Sequence, residues 1–277
     1  MEKRSCAAYV VGAAMAVGVT LAVAAPAYAG TLLPERGGSP NADRTASLYT
    51  VVLVLAGIVF VGVVAALGYA LWRYHERRNK VAAQIHGHTR LEIGWTLAAT
   101  ALIVFLAVFS LTKLASIDDP DTAAASPAAV QAGIVKPGEG QSLNIDVVGM
   151  QYVWLYRYPG GAYSYTEMVA PTGVTVKLNI TSQDVAHSWW IPKLGGKFDA
   201  IPGYTHQTWF RITKPGVYRG QCAELCGRNH ANMLAQVRAV PPDEYVAWIQ
   251  RQKQQLAAAE AARKRDAAKF ESQQGAG

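Results

Sequence analysis

Two long apolar segments constrain the architecture of this chain more than any other feature. Residues 48–72 contain no charged side chain, and residues 93–114 contain only Lys113. At about 1.5 Å per helical residue, each segment can cross a hydrocarbon layer of about 30 Å. The loop between them, residues 73–92, is rich in arginine and lysine, which is typical of the cytoplasmic side of a membrane. We therefore predict a two-helix transmembrane hairpin over residues 46–115, with both of its ends outside the cytoplasm.

The overall composition agrees with a few spanning helices joined to one folded domain. Hydrophobic residues make up 51% of the chain and charged residues 16%, and the formal net charge is +7. A cationic chain raises the question of nucleic-acid binding. However, the basic residues are concentrated in the loop 73–92 and in the C-terminal tail, without an arginine-rich motif interleaved with aromatic residues. We predict no nucleic-acid partner.

The N-terminal 29 residues have the pattern of a secretory signal peptide. Lys3 and Arg4 precede an apolar run, and Ala27-Tyr28-Ala29 has the small residues of a cleavage site. The alternative is an uncleaved first membrane helix. Residues 30–45 are polar and rich in glycine and proline, so we expect an exposed linker there.

Residues 142–241 have the pattern of an all-β domain, preceded by a linker at residues 116–141. Short runs rich in β-branched and aromatic residues alternate with Pro-Gly turns, which is typical of a sandwich or a small barrel. The predicted strands are Leu143–Val148, Gln151–Tyr158, Val174–Ile180, Gln207–Ile212 and Ala235–Val240. Residues 242–277 form a tail that we expect to begin as a helix near Asp243 and then to fray.

One loop near the end of the β domain has the composition of a metal site. Cys222, Cys226, His230 and Met233 occur within a dozen positions. Thiolate, imidazole and thioether ligands suit an electron-transfer copper. One copper normally takes one thiolate and two imidazoles, so either one copper has excess sulfur or two coppers share the sulfurs. The second case needs another histidine, for which His187 is the best candidate. A disulfide between the two cysteines is the alternative.

Three ordered motifs make the chain resemble subunit II of the cytochrome c oxidases, over roughly residues 45–245. They are Asp184-Val-x-His187-Ser-Trp, Asp199-Ala-x-Pro-Gly203 and Cys222-x-Glu-x-Cys-x-x-x-His-x-x-Met233. The resemblance implies a cupredoxin-like domain with the binuclear copper centre called CuA. Both cysteine sulfurs would bridge the coppers. His187 and Met233 would complete one copper, and His230 with the backbone carbonyl of Glu224 the other.

The same resemblance implies further roles and partners. The Glu224 side chain would help to bind Mg²⁺ shared with subunit I. Glu92 would lie at the mouth of the K proton channel of subunit I, although a helix N-terminal charge is the alternative. Tyr152 stands where the family has the tryptophan that receives electrons, Trp154 keeps the second aromatic position, and Asp184 remains as one acid for donor docking.

The predicted function is that of subunit II of a proton-pumping terminal oxidase in the bacterial cytoplasmic membrane, with the copper domain on the outer side. Its expected partners are oxidase subunits I and III, the lipid bilayer and a c-type cytochrome. Arg157 replaces a residue that is often acidic in the family, so we expect a donor that docks by apolar contact or is membrane-tethered. Without a Cys-x-x-Cys-His motif, the chain is expected to carry no haem.

Four other functions are alternatives, of which the retained copper ligands and the hairpin disfavour the first two. A quinol oxidase subunit II shares the hairpin but lacks the copper ligands, and the CuA domain of nitrous-oxide reductase lacks the hairpin. A membrane-anchored copper carrier or storage protein would bind one labile Cu(I). A structural zinc site would also use cysteine and histidine.

Overall fold

The computed structural model describes residues 33–81, 83–84, 86–120, 124–125, 130, 133, 136–138 and 141–274 of the 277 residues. The predicted signal peptide, residues 1–29, lies outside the described residues. Two long helices come first, α1 (Pro40–Arg73) and α2 (Thr89–Asp118). A β domain of two sheets follows, and a third helix, α3 (Pro242–Gln274), ends the described part of the chain.

Helices α1 and α2 form the predicted hairpin. Both are long and apolar enough to cross a membrane, and no residue in the most apolar part of either helix is buried by the rest of the chain. Their sides are therefore available to lipid or to other subunits. With 34 and 30 residues, the helices extend beyond the predicted spans of 48–72 and 93–114 at both ends.

The start of α1 lies against the β domain. The prediction of an exposed linker over residues 30–45 is wrong from Pro40 onward, because these residues are helical and partly buried. Asn41 is 3% exposed, and its Nδ2 donates to the carbonyl oxygen of Trp209 at 2.6 Å. The indole of Trp209 donates in turn to the carbonyl of Ile117, near the end of α2, at 2.9 Å. Both membrane helices are thus attached to one place on the domain.

The β domain consists of two sheets with short connections. The strands are β1 Ala124–Ala125, β2 Gln141–Met150, β3 Val153–Arg157, β4 Tyr163–Tyr165, β5 Glu167–Pro171, β6 Thr175–Ser182, β7 His187–Trp190, β8 Phe198–Ala200, β9 His206–Phe210, β10 Gly216–Cys222 and β11 Leu234–Val240. One sheet has the order β4-β3-β2-β6-β9, with β1 beside β2, and the other has the order β5-β11-β10-β7-β8.

The core lies between the two sheets and follows from alternation along the strands. Every second residue of β2 and β6 is apolar, and the parallel register places these residues opposite one another. The fully buried pairs are Leu143 with Val176, Ile145 with Leu178, and Val147 with Ile180. Period-two burial of this kind is expected of a strand with one face on a core, and the predicted all-β sandwich is confirmed.

The five predicted strands overlap β2, β3, β6, β9 and β11, whereas β4, β5, β7, β8 and β10 had not been predicted. Most of these strands are short, and β10 contains arginine, glutamine and two glycines, which are not typical of a buried strand. The predicted linker at residues 116–141 is also partly structured, because α2 continues to Asp118 and β1 pairs with β2.

Helix α3 is docked at its start, and the predicted C-terminal helix is confirmed. Tyr245 and Ile249 are 0% and 1% exposed and lie four positions apart on one helix face, which packs into the core. The remainder is composed mainly of alanine, lysine, arginine, glutamine and glutamate, which favour helix. The helix therefore continues to Gln274.

Candidate metal centre

The candidate ligands come from two neighbouring strands and the loop that follows one of them. His187 is the first residue of β7 and Cys222 the last residue of β10. These strands are antiparallel, with Cys222 opposite Trp189, so the two residues lie at the same end of the sheet. The loop after β10 then returns to β11, where the Cys222 N–H donates to the carbonyl of Met233 at 2.9 Å.

Two sulfur atoms and two imidazole nitrogens converge in this loop. The Sγ atoms of Cys222 and Cys226 are 3.9 Å apart. Nδ1 of His187 lies 3.9 Å from Cys222 Sγ, and Nδ1 of His230 lies 3.5 Å from Cys226 Sγ. Each sulfur therefore has one imidazole nitrogen beside it.

The two weaker predicted ligands occupy the remaining positions around the sulfurs. Sδ of Met233 lies 3.8 Å from Cys226 Sγ, and the carbonyl oxygen of Glu224 lies 3.3 Å from Cys222 Sγ. The structure thus brings together all the copper ligands predicted from the sequence.

The sulfur atoms and His187 are shielded from water, whereas His230 is partly exposed. His187 and Met233 are 0% exposed, and both cysteines are buried. The cysteines are free thiols, since their 3.9 Å separation is far longer than the roughly 2.05 Å of a disulfide. Burial, together with the neighbouring Cys222, raises the pKa of the Cys226 thiol. A metal ion that binds thiolates would replace the proton and supply the positive charge that this environment lacks.

Asp184 determines which nitrogen of His187 faces the sulfurs. Its Oδ1 lies 2.8 Å from His187 Nε2. Because a carboxylate only accepts hydrogen bonds, Nε2 carries the hydrogen and the lone pair of the neutral ring is at Nδ1. Burial alone would raise the pKa of Asp184. Hydrogen bonds from the Gln151 N–H, from His187 and from the Val185 N–H outweigh it and hold that pKa below its usual range.

Two residues that support the site had not been predicted. A Cβ at Gly149 would lie 2.8 Å from Cδ2 of His187, so only glycine leaves room for the imidazole. A glycine inside a strand is a recognised signal of such close approach. Gln151 donates from Nε2 to the carbonyl oxygen of Cys226 at 2.6 Å, and nothing in the sequence pointed to that bond.

The two predicted electron-input residues lie at different depths. Tyr152 is half-buried, and its hydroxyl lies against Gly227, where a Cβ would be 2.6 Å from it. Trp154 is fully buried, with its ring 5.9 Å from the ring of His187 in an edge-on arrangement. Its indole N–H is buried without a hydrogen-bond partner among the described residues. Trp154 therefore belongs to the packing around His187, whereas Tyr152 reaches the surface.

The side chains predicted to act outside the copper site lie apart from it. The Glu224 carboxylate is 48% exposed and lies 4.0 Å from Nζ of Lys197, which also pairs with Asp199 at 2.5 Å. Glu92 lies in the first turn of α2, about 39 Å along the helix from Asp118. Its Oε1 accepts the N–H of His88 at 3.1 Å, so it also caps the helix.

Comparisons with known proteins match both parts of the chain to one family. The family model described as the cytochrome C oxidase subunit II transmembrane domain matches residues 27–113, and the model of the periplasmic domain matches residues 163–240. The cytochrome c oxidase subunit 2 of Cereibacter sphaeroides is 30% identical over 285 residues, covering 85% of this chain and 88% of that protein. That of Alkalihalophilus pseudofirmus is 35% identical over 202 residues, covering 72% and 55%.

A solved structure is also similar. The periplasmic domain of cytochrome oxidase subunit II from Bradyrhizobium japonicum is 33% identical, with a TM-score of 0.40, and covers 44% of this chain and 99% of that one. The resemblance drawn from the sequence motifs is confirmed by the family models and the curated relatives. The chain belongs to the cytochrome c oxidase subunit II family and is subunit II of a terminal oxidase, a membrane oxidoreductase complex, with two membrane spans.

Proposed function

We propose that the candidate site holds the binuclear copper centre CuA, to which the Cys222 and Cys226 thiolates would contribute the sulfur ligands. The observation that carries this proposal is the pair of buried free thiols 3.9 Å apart, each with an imidazole Nδ1 beside it. His187 and Met233 would complete one copper, and His230 and the Glu224 carbonyl the other.

The donor set fits copper better than the other metals considered. Thiolate, thioether and imidazole are ligands that copper prefers, while Mg²⁺ and Ca²⁺ prefer oxygen. A zinc site would use two cysteines and two histidines and would give Met233 no role. Met233 is fully buried with its Sδ 3.8 Å from Cys226 Sγ, which favours a site that uses the thioether. A copper carrier is not favoured either, because the relatives are oxidase subunits.

When bound, the copper pair would supply a one-electron redox site for electron transfer from a c-type cytochrome to haem in subunit I, where oxygen is reduced to water. The residues of this chain prepare the site for that task. Asp184 holds the imidazole of His187 in one tautomer, and the two sheets exclude water from the sulfurs. Ligands held in place by surrounding packing need to move little when the charge of the site changes.

The metal content and spectrum of the purified oxidase test this proposal. We expect two coppers in this subunit and an electron paramagnetic resonance signal of one unpaired electron delocalised over both. One copper without that signal would support a carrier, and one Zn²⁺ without colour would support a structural site.

The proposed Mg²⁺ contact involves the side chain of Glu224, not its carbonyl. That carboxylate is half-exposed and lies 4.0 Å from Nζ of Lys197. It is therefore available to an ion shared with subunit I. A single carboxylate with other ligands from water or a partner is a common mode of Mg²⁺ binding.

Glu92 is proposed to lie at the mouth of the K proton channel of subunit I. It occupies the first turn of α2, at the end of the hairpin next to the basic loop. Glu92→Gln is expected to slow steady-state turnover while the copper spectrum stays unchanged, since Glu92 lies about 39 Å along α2 from Asp118, at the end of the helix that contacts the β domain. Oxygen consumption and the copper signal of the same preparation check this. Normal turnover in Glu92→Gln would show that the carboxylate only caps the helix.

The donor is proposed to dock without strong electrostatic steering. Asp184 is the acid retained near Tyr152, and its carboxylate is already bound by the Gln151 N–H and by His187. Arg157 is exposed on β3. We expect the rate of electron transfer from a basic soluble cytochrome c to change little with ionic strength. Only electrostatically steered association slows steeply as salt is added, and this surface offers little steering.

Stopped-flow reduction of the copper centre at several salt concentrations measures this dependence. The Arg157→Glu variant is the matched comparison and is expected to acquire a salt dependence. A steep fall in rate with salt in the unaltered oxidase would contradict the proposal. The same reasoning favours a donor that is membrane-tethered or docks through apolar contacts.

The proposed setting is the bacterial cytoplasmic membrane, with the copper domain on its outer side and oxidase subunits I and III as neighbours. The basic loop between α1 and α2 supports this orientation. The exposed apolar sides of both helices support contact with other membrane subunits.

A further inference from the structure

Gln151 connects two of the segments that supply the proposed copper ligands. Its side chain donates from Nε2 to the carbonyl oxygen of Cys226 at 2.6 Å. Its backbone N–H donates to Oδ2 of Asp184 at 2.7 Å. The residue lies in the turn between β2 and β3, far in sequence from both partners.

The loop that carries Cys226 touches this turn directly. Gly227 has a φ of +132°, and a Cβ there would lie 2.6 Å from the Tyr152 hydroxyl and 2.9 Å from Gln151 Nε2. A larger residue at this position would push the loop away from the turn. The contact therefore depends on a glycine immediately after the ligand Cys226.

The other bond of Gln151 leads to His187. Oδ2 of Asp184 accepts a hydrogen bond from the Gln151 N–H. Oδ1 of the same carboxylate accepts one from Nε2 of His187 at 2.8 Å. His187 and Cys226 belong to different strands and loops, yet both are tied to one residue. Gln151 therefore links the segments of these two ligands by hydrogen bonds.

We infer that Gln151 is a positioning residue that holds the Cys226 side of the centre at a fixed distance from the His187 side. This inference rests on the proposed CuA function. Residues that hydrogen-bond to metal ligands fix the orientation of those ligands and so tune the properties of the bound metal. In Gln151 the side chain binds the backbone carbonyl of the ligand Cys226, while the backbone N–H binds the carboxylate that accepts from the His187 imidazole.

The Gln151→Leu variant tests the role of the amide in the full-length chain within its purified oxidase. Leucine has a similar size but cannot donate to the Cys226 carbonyl, and the backbone bond to Asp184 remains. We expect the copper hyperfine pattern in the electron paramagnetic resonance spectrum to change. We also expect copper loss to a chelator to be faster by about 10-fold. The change in the hyperfine pattern would not arise from a residue that only stabilises the fold, because that pattern reports the geometry of the loaded site.

Gln183→Leu is the matched control, since Gln183 is an exposed glutamine in the neighbouring loop and lies outside the ligand contacts described above. Gln151→Glu is the second variant in case the leucine variant does not assemble, because glutamate keeps the shape of the side chain but loses the amide donor. It should change the spectrum in the same way, while Gln183→Leu should leave it unchanged.

The outcomes separate this inference from the proposed function. If the unaltered oxidase has no two-copper signal, the proposed function fails and this inference fails with it. If that signal is present and both Gln151 variants have an unchanged spectrum and unchanged copper loss, the inference alone is overturned.

Discussion

Replacing Cys226 with serine is expected to abolish the copper centre and with it electron transfer through this subunit. Cys226 Sγ lies 3.9 Å from Cys222 Sγ, 3.5 Å from His230 Nδ1 and 3.8 Å from Met233 Sδ. Its loss therefore removes the candidate ligand atom that lies beside three of the other candidate ligand atoms. Serine is a hard oxygen ligand and a poor one for copper. Turnover with a cytochrome donor should fall by about 100-fold or more. Removing even a residue that only hydrogen-bonds to a metal ligand typically lowers metal affinity or activity by about 10–100-fold.

Oxygen consumption and the copper content of the purified complex measure this effect. Cys6→Ser is the matched control, because it makes the same chemical change in the segment predicted to be a signal peptide, outside the proposed site. The amount of each variant in the membrane shows that the subunit still assembles. A Cys226→Ser oxidase that keeps two coppers and normal turnover would exclude Cys226 as a ligand.

Replacing Asp184 with alanine is expected to weaken copper binding by about 10–100-fold, the usual cost of removing the partner of a ligating histidine. Without the carboxylate, Nε2 of His187 loses the acceptor that keeps its hydrogen there. The neutral imidazole can then carry the hydrogen on Nδ1, which faces Cys222 and would no longer offer a lone pair. The Gln151 N–H loses its acceptor as well.

Competition with a copper chelator measures the change in affinity. Asp146→Ala is the matched control, because Asp146 is an exposed aspartate that accepts a hydrogen bond from Asn179 on the outer face of β2 and not from a candidate ligand. Equal copper affinity in the Asp184 and Asp146 variants would show that Asp184 has no part in holding His187. The sequence had suggested only a donor-docking role for this acid.

The architecture was predictable where local patterns carry enough information. Uninterrupted apolar segments and the alternation in β2 and β6 are patterns that can be read from a few neighbouring residues, so they predict helix and strand without knowledge of the fold. The start of α1 was mispredicted as exposed because Asn41 is polar. A polar side chain is buried when it has a hydrogen-bond partner, and here that partner is distant in the sequence. That partner, the carbonyl of Trp209, lies 168 residues away.

The candidate site divides in the same way. Cys222, Cys226, His230 and Met233 are close in sequence, so their chemistry is visible without a fold. His187 could be suggested only because a second imidazole was needed and a family motif contained it. The pairing of β7 with β10 is what places it beside Cys222.

The sequence by itself determined the membrane hairpin, the all-β class of the domain and the soft-ligand character of the loop, because hydrophobic period and ligand spacing are local properties. Only the tertiary structure decided which nitrogen of His187 faces the sulfurs and that Gln151 holds the carbonyl of Cys226. Those contacts depend on hydrogen bonds whose geometry exists only after the two sheets have packed. One of them joins residues 75 positions apart.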